Sequence, residues 1–223
     1  MKHPKTLIAA MLLSFLCLTS CAQGNEPIVE LNTNMGKIRL QLFNETPQHR
    51  DNFLKLVAEG RYDGLLFHRV IKQFMIQAGD VNSKDAPPDV QLGSGDLGYT
   101  VPAEFVYPKY FHRRGMLCAA RQGDDTNPAR ASSASQFYIV TGKYYTESDL
   151  QKMQVQMGRS FTPEQIQAYM LEGGAPHLDG AYTVFGKVIK GMNVVEKIEM
   201  TPTGAGDRPV SNVVIKSAKI IRK

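Results

Sequence analysis

Cysteine is scarce in this chain: three among 223 residues, at positions 17, 21 and 118. That excludes a scaffold built on disulfides, which needs paired cysteines. There is no Cys-x-x-Cys and no His-Glu-x-x-His, and the histidines at 3, 49, 68, 112 and 177 fall at no metal-ligand spacing. Neither a metal nor a cofactor is expected. Ser132, Ser133 and Ser135 lack a Gly-x-Ser-x-Gly elbow and an assignable base, so they read as a turn entering a strand. The glycine-rich stretch 93–98 is followed by no Lys-Ser/Thr and opens no helix, which excludes a phosphate loop. Charge is nearly balanced at +5, without a lysine/arginine run, so nucleic acid is not an expected partner.

Long apolar runs are missing too, with one exception. After MKHPKT comes LIAAMLLSFLCL, 12 residues. That is short for a bilayer span but suits the core of a secretory signal. Leu18-Thr19-Ser20-Cys21 follows and resembles the lipobox of bacterial lipoproteins. The resemblance implies cleavage before Cys21 and lipid attachment to its sulfur and new amino terminus. The expected organisation is a signal peptide over 1–20, a tether over 21–27 and one domain over 28–223. Loss of Lys2 and Lys5 with the signal leaves a formal charge of +3. The expected place is the bacterial cell envelope, lipid-anchored and facing the periplasm. Cys118 is left without a partner, and its run GMLCAA predicts a small buried hydrophobe.

Within 28–223, apolar alternation predicts a β-rich domain. IVELNTNMGKIRLQLF reads as two strands around an Asn-Met-Gly turn, with Ile38, Leu40 and Leu42 facing inward. TPQHRDNFLKLVAEG reads as a helix that Thr46 caps and Gly60 ends, with Phe53, Leu56 and Val57 inward. Residues 81–115 read as long loops. Strands resume at MLCAAR, SQFYIV, YTVFGKVI and VVIKSAKII, and GMNVVEKI predicts a second core helix. Residues 142–176 differ. Thr146 and Thr162 are helix caps, Gln165 completes a capping box, and Phe161 with Ile166 makes a hydrophobic staple. Leu150, Met153, Met157, Tyr169 and Met170 form the apolar face. This predicts a helical hairpin inserted into a β domain.

One feature resists a purely structural reading: Arg69, a permanent cation inside the apolar run FHRVIKQFMIQAGD. Taken alone it reads as an ion-pair residue. Together with TPQHRDNF, GYTVPAEF, RGMLCAARQGDDTNPARASSASQFYIV and HLDGAYTVFGKV, the run resembles the cyclophilin family of peptidyl-prolyl cis/trans isomerases. The resemblance spans about 28 to 223, interrupted by 142–176. It implies a closed eight-stranded antiparallel β-barrel capped by two helices, with a substrate groove on its outer wall.

The implied chemistry needs no covalent step. Rotation about an X–Pro bond meets a barrier of about 18–20 kcal/mol from amide resonance. At the twisted midpoint the proline nitrogen regains its lone pair, and a fixed donor aimed at it stabilises the midpoint above either planar state. A guanidinium suits this: always charged, rigid, readily dehydrated. One such donor is worth about 2.7–4 kcal/mol, and lowering the barrier by roughly 7 kcal/mol gives about five powers of ten in rate. The remainder falls to gripping the substrate.

By the family motif, Arg69, Phe74 and Gln77 are the expected catalytic residues. Met75, Tyr138 and Leu178 join Phe74 in an apolar pocket, and Gln77 and Gln136 bond the peptide backbone. His68 lies at the edge, Ala120 and Arg121 pair with bound peptide, and His177 and Tyr182 complete the substrate-binding set. Tyr138 stands where the family usually has phenylalanine, and Tyr182 where it has histidine. His177 replaces a tryptophan that contributes to cyclosporin binding, and the chain has no tryptophan at all. The expected partners are proline-containing peptides and unfolded exported proteins, handled by a monomer. The competing function is a module that holds proline segments or a partner without turnover. Keeping Arg69 favours the enzyme.

Overall fold

The computed structural model describes residues 25–223, and among these no helix is long and apolar enough to cross a membrane. Cys21 and the signal-like segment lie outside the described residues. In chain order the elements are β1 (Ile28–Thr33), β2 (Gly36–Leu42), α1 (Pro47–Ala58), β3 (Arg69–Ile71), β4 (Met75–Ala78) and β5 (Thr100–Val101). There follow β6 (Met116–Ala119), β7 (Ser132–Ser133), β8 (Phe137–Val140), α2 (Glu147–Met157) and α3 (Pro163–Leu171). The last are β9 (Val184–Lys190), α4 (Met192–Glu199) and β10 (Ile215–Arg222). Eight strands form one antiparallel sheet in the order β10-β1-β2-β9-β6-β8-β4-β3, and β5 pairs with β7 apart from it.

The sheet curls without closing. Its terminal strands, β10 and β3, share no ladder. The chain before β3 touches the start of β10 through Phe67 N→Val213 O and Ile215 N→Leu65 O, both 2.8 Å. Beyond Ile215 the edge of β10 meets a side chain instead, Ala218 N donating to Asp63 Oδ1 at 2.8 Å. The approach to β3 turns through Gly60 and Gly64, both with positive φ, so it never runs straight enough for a full ladder. A half-barrel laced at one corner replaces the closed barrel expected from the resemblance.

Alternation divides the sheet into two faces. Ile76, Ala78, Leu117, Ala119, Phe137 and Ile139 point into the main core with Phe53, Leu56 and Val57 of α1 and Val195 and Ile198 of α4. The intervening residues Met75, Met116, Cys118, Tyr138 and Val140 form a second apolar cluster on the outer face. Cys118 is fully buried there and free, and burial pushes its thiol pKa up.

The helix termini follow local sequence in two cases and not in a third. Both α2 and α3 carry capping boxes, Thr146 with Asp149 and Thr162 with Gln165. Thr46 makes no side-chain cap on α1. That place goes to Glu104, whose carboxylate accepts from Gln48 N at 3.0 Å and His49 N at 2.9 Å. The α2–α3 hairpin has its own core of Phe111, Leu150, Phe161, Ala168 and Tyr169, with Met153, Met157 and Ile166 against it. Met170 departs from the expected apolar face and is exposed. The long segment 81–115 is irregular except for one short turn and β5.

Candidate active site

The outer cluster opens into a cavity of about 340 Å³. Its floor comes from β4 and β8, which pair Gln77 with Tyr138 and Met75 with Val140. Because side chains alternate, Met75 and Gln77 face the cavity together while Ile76 serves the core. Met75 and Tyr138 are buried; Phe74, Leu178, Ala120 and Tyr182 are half-buried walls. Phe74 is held by the turn before β4, where Gln73 takes a φ of 58° and its amide donates to Glu199 Oε1 at 2.7 Å. His177 does not line the cavity; it is exposed and tilts against Phe74 with ring centroids 5.4 Å apart.

Arg69 stands opposite Gln77 across the β3–β4 pair and borders the cavity. Its Nε donates to Asp207 Oδ2 at 3.3 Å, and both side chains are nearly half exposed. Asp207 follows Gly206 in a turn where both residues have positive φ. On its far side Arg69 also borders a cavity of about 760 Å³ between residues 88–92 and 204–212. His68 borders both cavities, although it is only 3% exposed. Neither of its ring nitrogens has a hydrogen-bonding partner among the described residues. Burial lowers its pKa to about 4, against an opposing pull from Asp80, so the imidazole is neutral at pH 7.

Gln136 lies beside the cavity. Gln77 Nε2 donates to its Oε1 at 2.9 Å, and its own Nε2 donates to the carbonyls of Gly93 (3.0 Å) and Gly95 (2.9 Å). It therefore lines a neighbouring cavity of about 580 Å³, which shares Gln77, Gly93, Ala120, Arg121 and Gln122 with the first. The loop carrying Gly93 is fastened by Asp80, whose carboxylate accepts from the amides of Asn82 and Gly93. Gly79 has φ +93°, and a Cβ there would lie 2.1 Å from the Ser135 carbonyl oxygen. The Gly-Asp ending of FMIQAGD is thus a hinge and a clasp for the groove wall.

The Ala120–Arg121 wall is partly committed to the fold. The Ala120 amide donates to Gln136 O at 3.0 Å, and its carbonyl accepts from Ser133 N at 2.8 Å. The Arg121 guanidinium lies over the Tyr182 ring at 4.3 Å, and its Nε donates to Ala181 O at 2.8 Å. That side chain braces the wall and is not free to meet a ligand.

The expected residues therefore gather around one groove, with Gln136 and His177 in adjoining positions and Cys21 outside the described residues. Sequence reasoning passed over Asp80, Gln122, Asp207 and the buried pair His112 and Asp179. Asp80 stood inside a quoted motif; nothing local marked Asp207, 138 positions from Arg69.

Comparison with known proteins gives a consistent result. A family model described as cyclophilin type peptidyl-prolyl cis-trans isomerase/CLD matches residues 28–220. A Staphylococcus haemolyticus protein named "Putative peptidyl-prolyl cis-trans isomerase" is 38% identical over 201 residues, covering 89% of this chain and 93% of its own. Peptidyl-prolyl cis-trans isomerase CYP18-1 of Arabidopsis thaliana is 35% identical over 193 residues, covering 86% and 94%. The crystal structure of a Cryptosporidium parvum cyclophilin type isomerase is similar with a TM-score of 0.65 and 26% identity, covering 89% of this chain and 99% of that one. The same protein solved in the presence of the dipeptide Ala-Pro gives a TM-score of 0.62, again at 26% identity, covering 88% and 99%.

Proposed function

The chain belongs to the cyclophilin-type peptidyl-prolyl cis-trans isomerases, and from that premise we propose how it turns X–Pro bonds and on which substrates. The proline ring enters the apolar cavity between Phe74, Met75, Tyr138 and Leu178. Gln77 holds the peptide backbone, and Gln136 orients it from the adjoining cavity. Because the Ala120 amide and carbonyl are both engaged within the fold, pairing along that wall falls to the Arg121 backbone. His68 is a neutral wall of the pocket and takes no part as a base.

Arg69 is the catalytic donor. As the amide twists, the proline nitrogen becomes basic and the guanidinium meets it with a charge-assisted hydrogen bond. Asp207 takes the Nε hydrogen, which leaves the terminal amino groups for the substrate. The observation that carries this reading is a permanent cation, bonded through Nε alone, on the rim of a cavity that Phe74, Met75 and Leu178 make apolar on one side. Its test is a protease-coupled assay on an Ala-Pro-Phe peptide. Arg69→Ala is expected to lose about 100- to 1,000-fold in kcat/KM, the worth of one preorganised donor, with an unchanged circular dichroism spectrum. Unchanged turnover overturns the assignment.

The substrates are exported proteins, and the enzyme is lipid-anchored through Cys21 in the bacterial cell envelope, on the periplasmic side. Support comes from the signal-like run and the lipobox-like Leu18-Thr19-Ser20-Cys21. Uncatalysed prolyl steps take tens to hundreds of seconds, so an isomerase has work to do wherever chains fold after export.

A further inference from the structure

Asp179 follows Leu178 directly, and its carboxylate has no exposed surface. Such a group is stable only when donors replace its lost water. Here they come from two directions. His112 supplies N at 2.8 Å and Nδ1 at 3.0 Å, both to Oδ1. The hairpin supplies Tyr169 Oη at 2.6 Å and Gln165 Nε2 at 3.5 Å, both to Oδ2. An ionised carboxylate only accepts, so Nδ1 donates to Asp179. Facing Nε2 at 3.0 Å is the hydroxyl of Tyr138, whose ring forms the pocket floor. One buried chain of hydrogen bonds, Tyr169–Asp179–His112–Tyr138, thus runs from α3 to the pocket.

The hairpin also grips the turn that carries Leu178. Arg159 donates to the carbonyls of Asp179 and Pro176, the latter at 2.9 Å. Ala175 N donates to His112 O at 2.8 Å. Gly174 is wedged so closely that a Cβ would lie 2.5 Å from the Tyr169 ring. The same Cβ would lie 2.4 Å from the His112 carbonyl oxygen, so Gly174 is what lets the hairpin and the His112 backbone close on each other.

We propose that the α2–α3 hairpin is a positioning element for the proline pocket, in which Tyr169, acting through Asp179 and His112, fixes the hydroxyl and ring of Tyr138 and so sets affinity for prolyl peptides. The proposal rests on reading the 340 Å³ cavity as the proline site. A phenol in an apolar floor is tolerable only while its hydroxyl is bonded away from the ligand. Released, it turns a polar edge toward the proline ring or draws in water, and the grip weakens.

The test is a double-mutant cycle on KM and kcat for the Ala-Pro-Phe peptide, using Tyr169→Phe, Tyr138→Phe and both together. Tyr169→Phe alone is expected to raise KM by about three- to tenfold with kcat changed less than about twofold, the size of one ordinary hydrogen bond felt at the pocket through two intermediaries. In the Tyr138→Phe background there is no hydroxyl to position, so the same substitution is expected to leave KM unchanged. A KM effect of equal size in both backgrounds, or none in either, overturns the proposal. Should Tyr169→Phe fail to fold, Asp179→Asn closes the same cycle with the same criteria. Arg69→Ala is measured alongside. If it retains full turnover, the catalytic reading falls whatever Tyr169 does; if it is inactive while the cycle is additive, only the positioning proposal falls.

Discussion

As the proposed donor, Arg69 faces two demands: it must be held still, yet keep N–H groups free. The contact with Asp207 meets both by engaging Nε alone. With both side chains nearly half exposed, this ion pair contributes little to stability. Its consequence is aim. Asp207→Ala is expected to lower kcat about tenfold while shifting the urea midpoint by less than about 0.5 kcal/mol in stability. Unaltered kcat would remove Asp207 from the account. His68 gives a stability signature instead. Its folded pKa of about 4 lies below the ordinary 6.5, so between those values the unfolded chain binds a proton that the folded chain refuses. That contribution, about 3 kcal/mol, is therefore full above pH 6.5 and lost as pH falls toward 4. Denaturation followed from pH 7 to 4.5 is expected to show a shallower loss for His68→Gln than for the parent. Parallel curves would contradict the burial effect. His49, also lowered by burial, titrates in the same direction in both proteins.

At the scale of elements, what was legible in the sequence was what is local. Thr162 and Gln165 lie three residues apart, and their capping box forms as read. Ile38, Leu40 and Leu42 alternate and are buried as read. The α1 cap failed because its donor groups are met by Glu104, 55 positions away from His49, and a distant carboxylate outcompetes a nearby threonine hydroxyl. Glu104 also bonds the His49 ring, so the GYTVPAEF segment is a strut between loop and helix. Glu104→Ala is expected to cost about 1–2 kcal/mol in urea denaturation, the upper range for a lost cap. An unchanged midpoint would return the role to Thr46. The same contrast holds at the groove: period two predicted that Met75 and Gln77 share a face. The buried chain from Tyr169 to Tyr138 joins residues too far apart in sequence for any pattern to link. Closure of the sheet was also misjudged, because the bends at Gly60 and Gly64 break a ladder that strand composition alone would allow.

The whole molecule places the proposed catalytic wall on the outside of a half-barrel, fills the inside with core, and sets a hairpin with its own small core beside the wall. The N-terminal sequence adds an expected address. Metabolic labelling with a radioactive fatty acid is expected to mark the full chain in a bacterial host and to fail for Cys21→Ala. Equal labelling of both would displace the anchor from that residue. The central claim concerns the reaction itself, and exchange NMR on a saturating X–Pro peptide separates it from binding. In the Arg69→Ala protein the bound cis and trans forms are expected to persist while their interconversion slows by about 100-fold. Interconversion at the parent rate, with the peptide seated in the same cavity, would contradict the account.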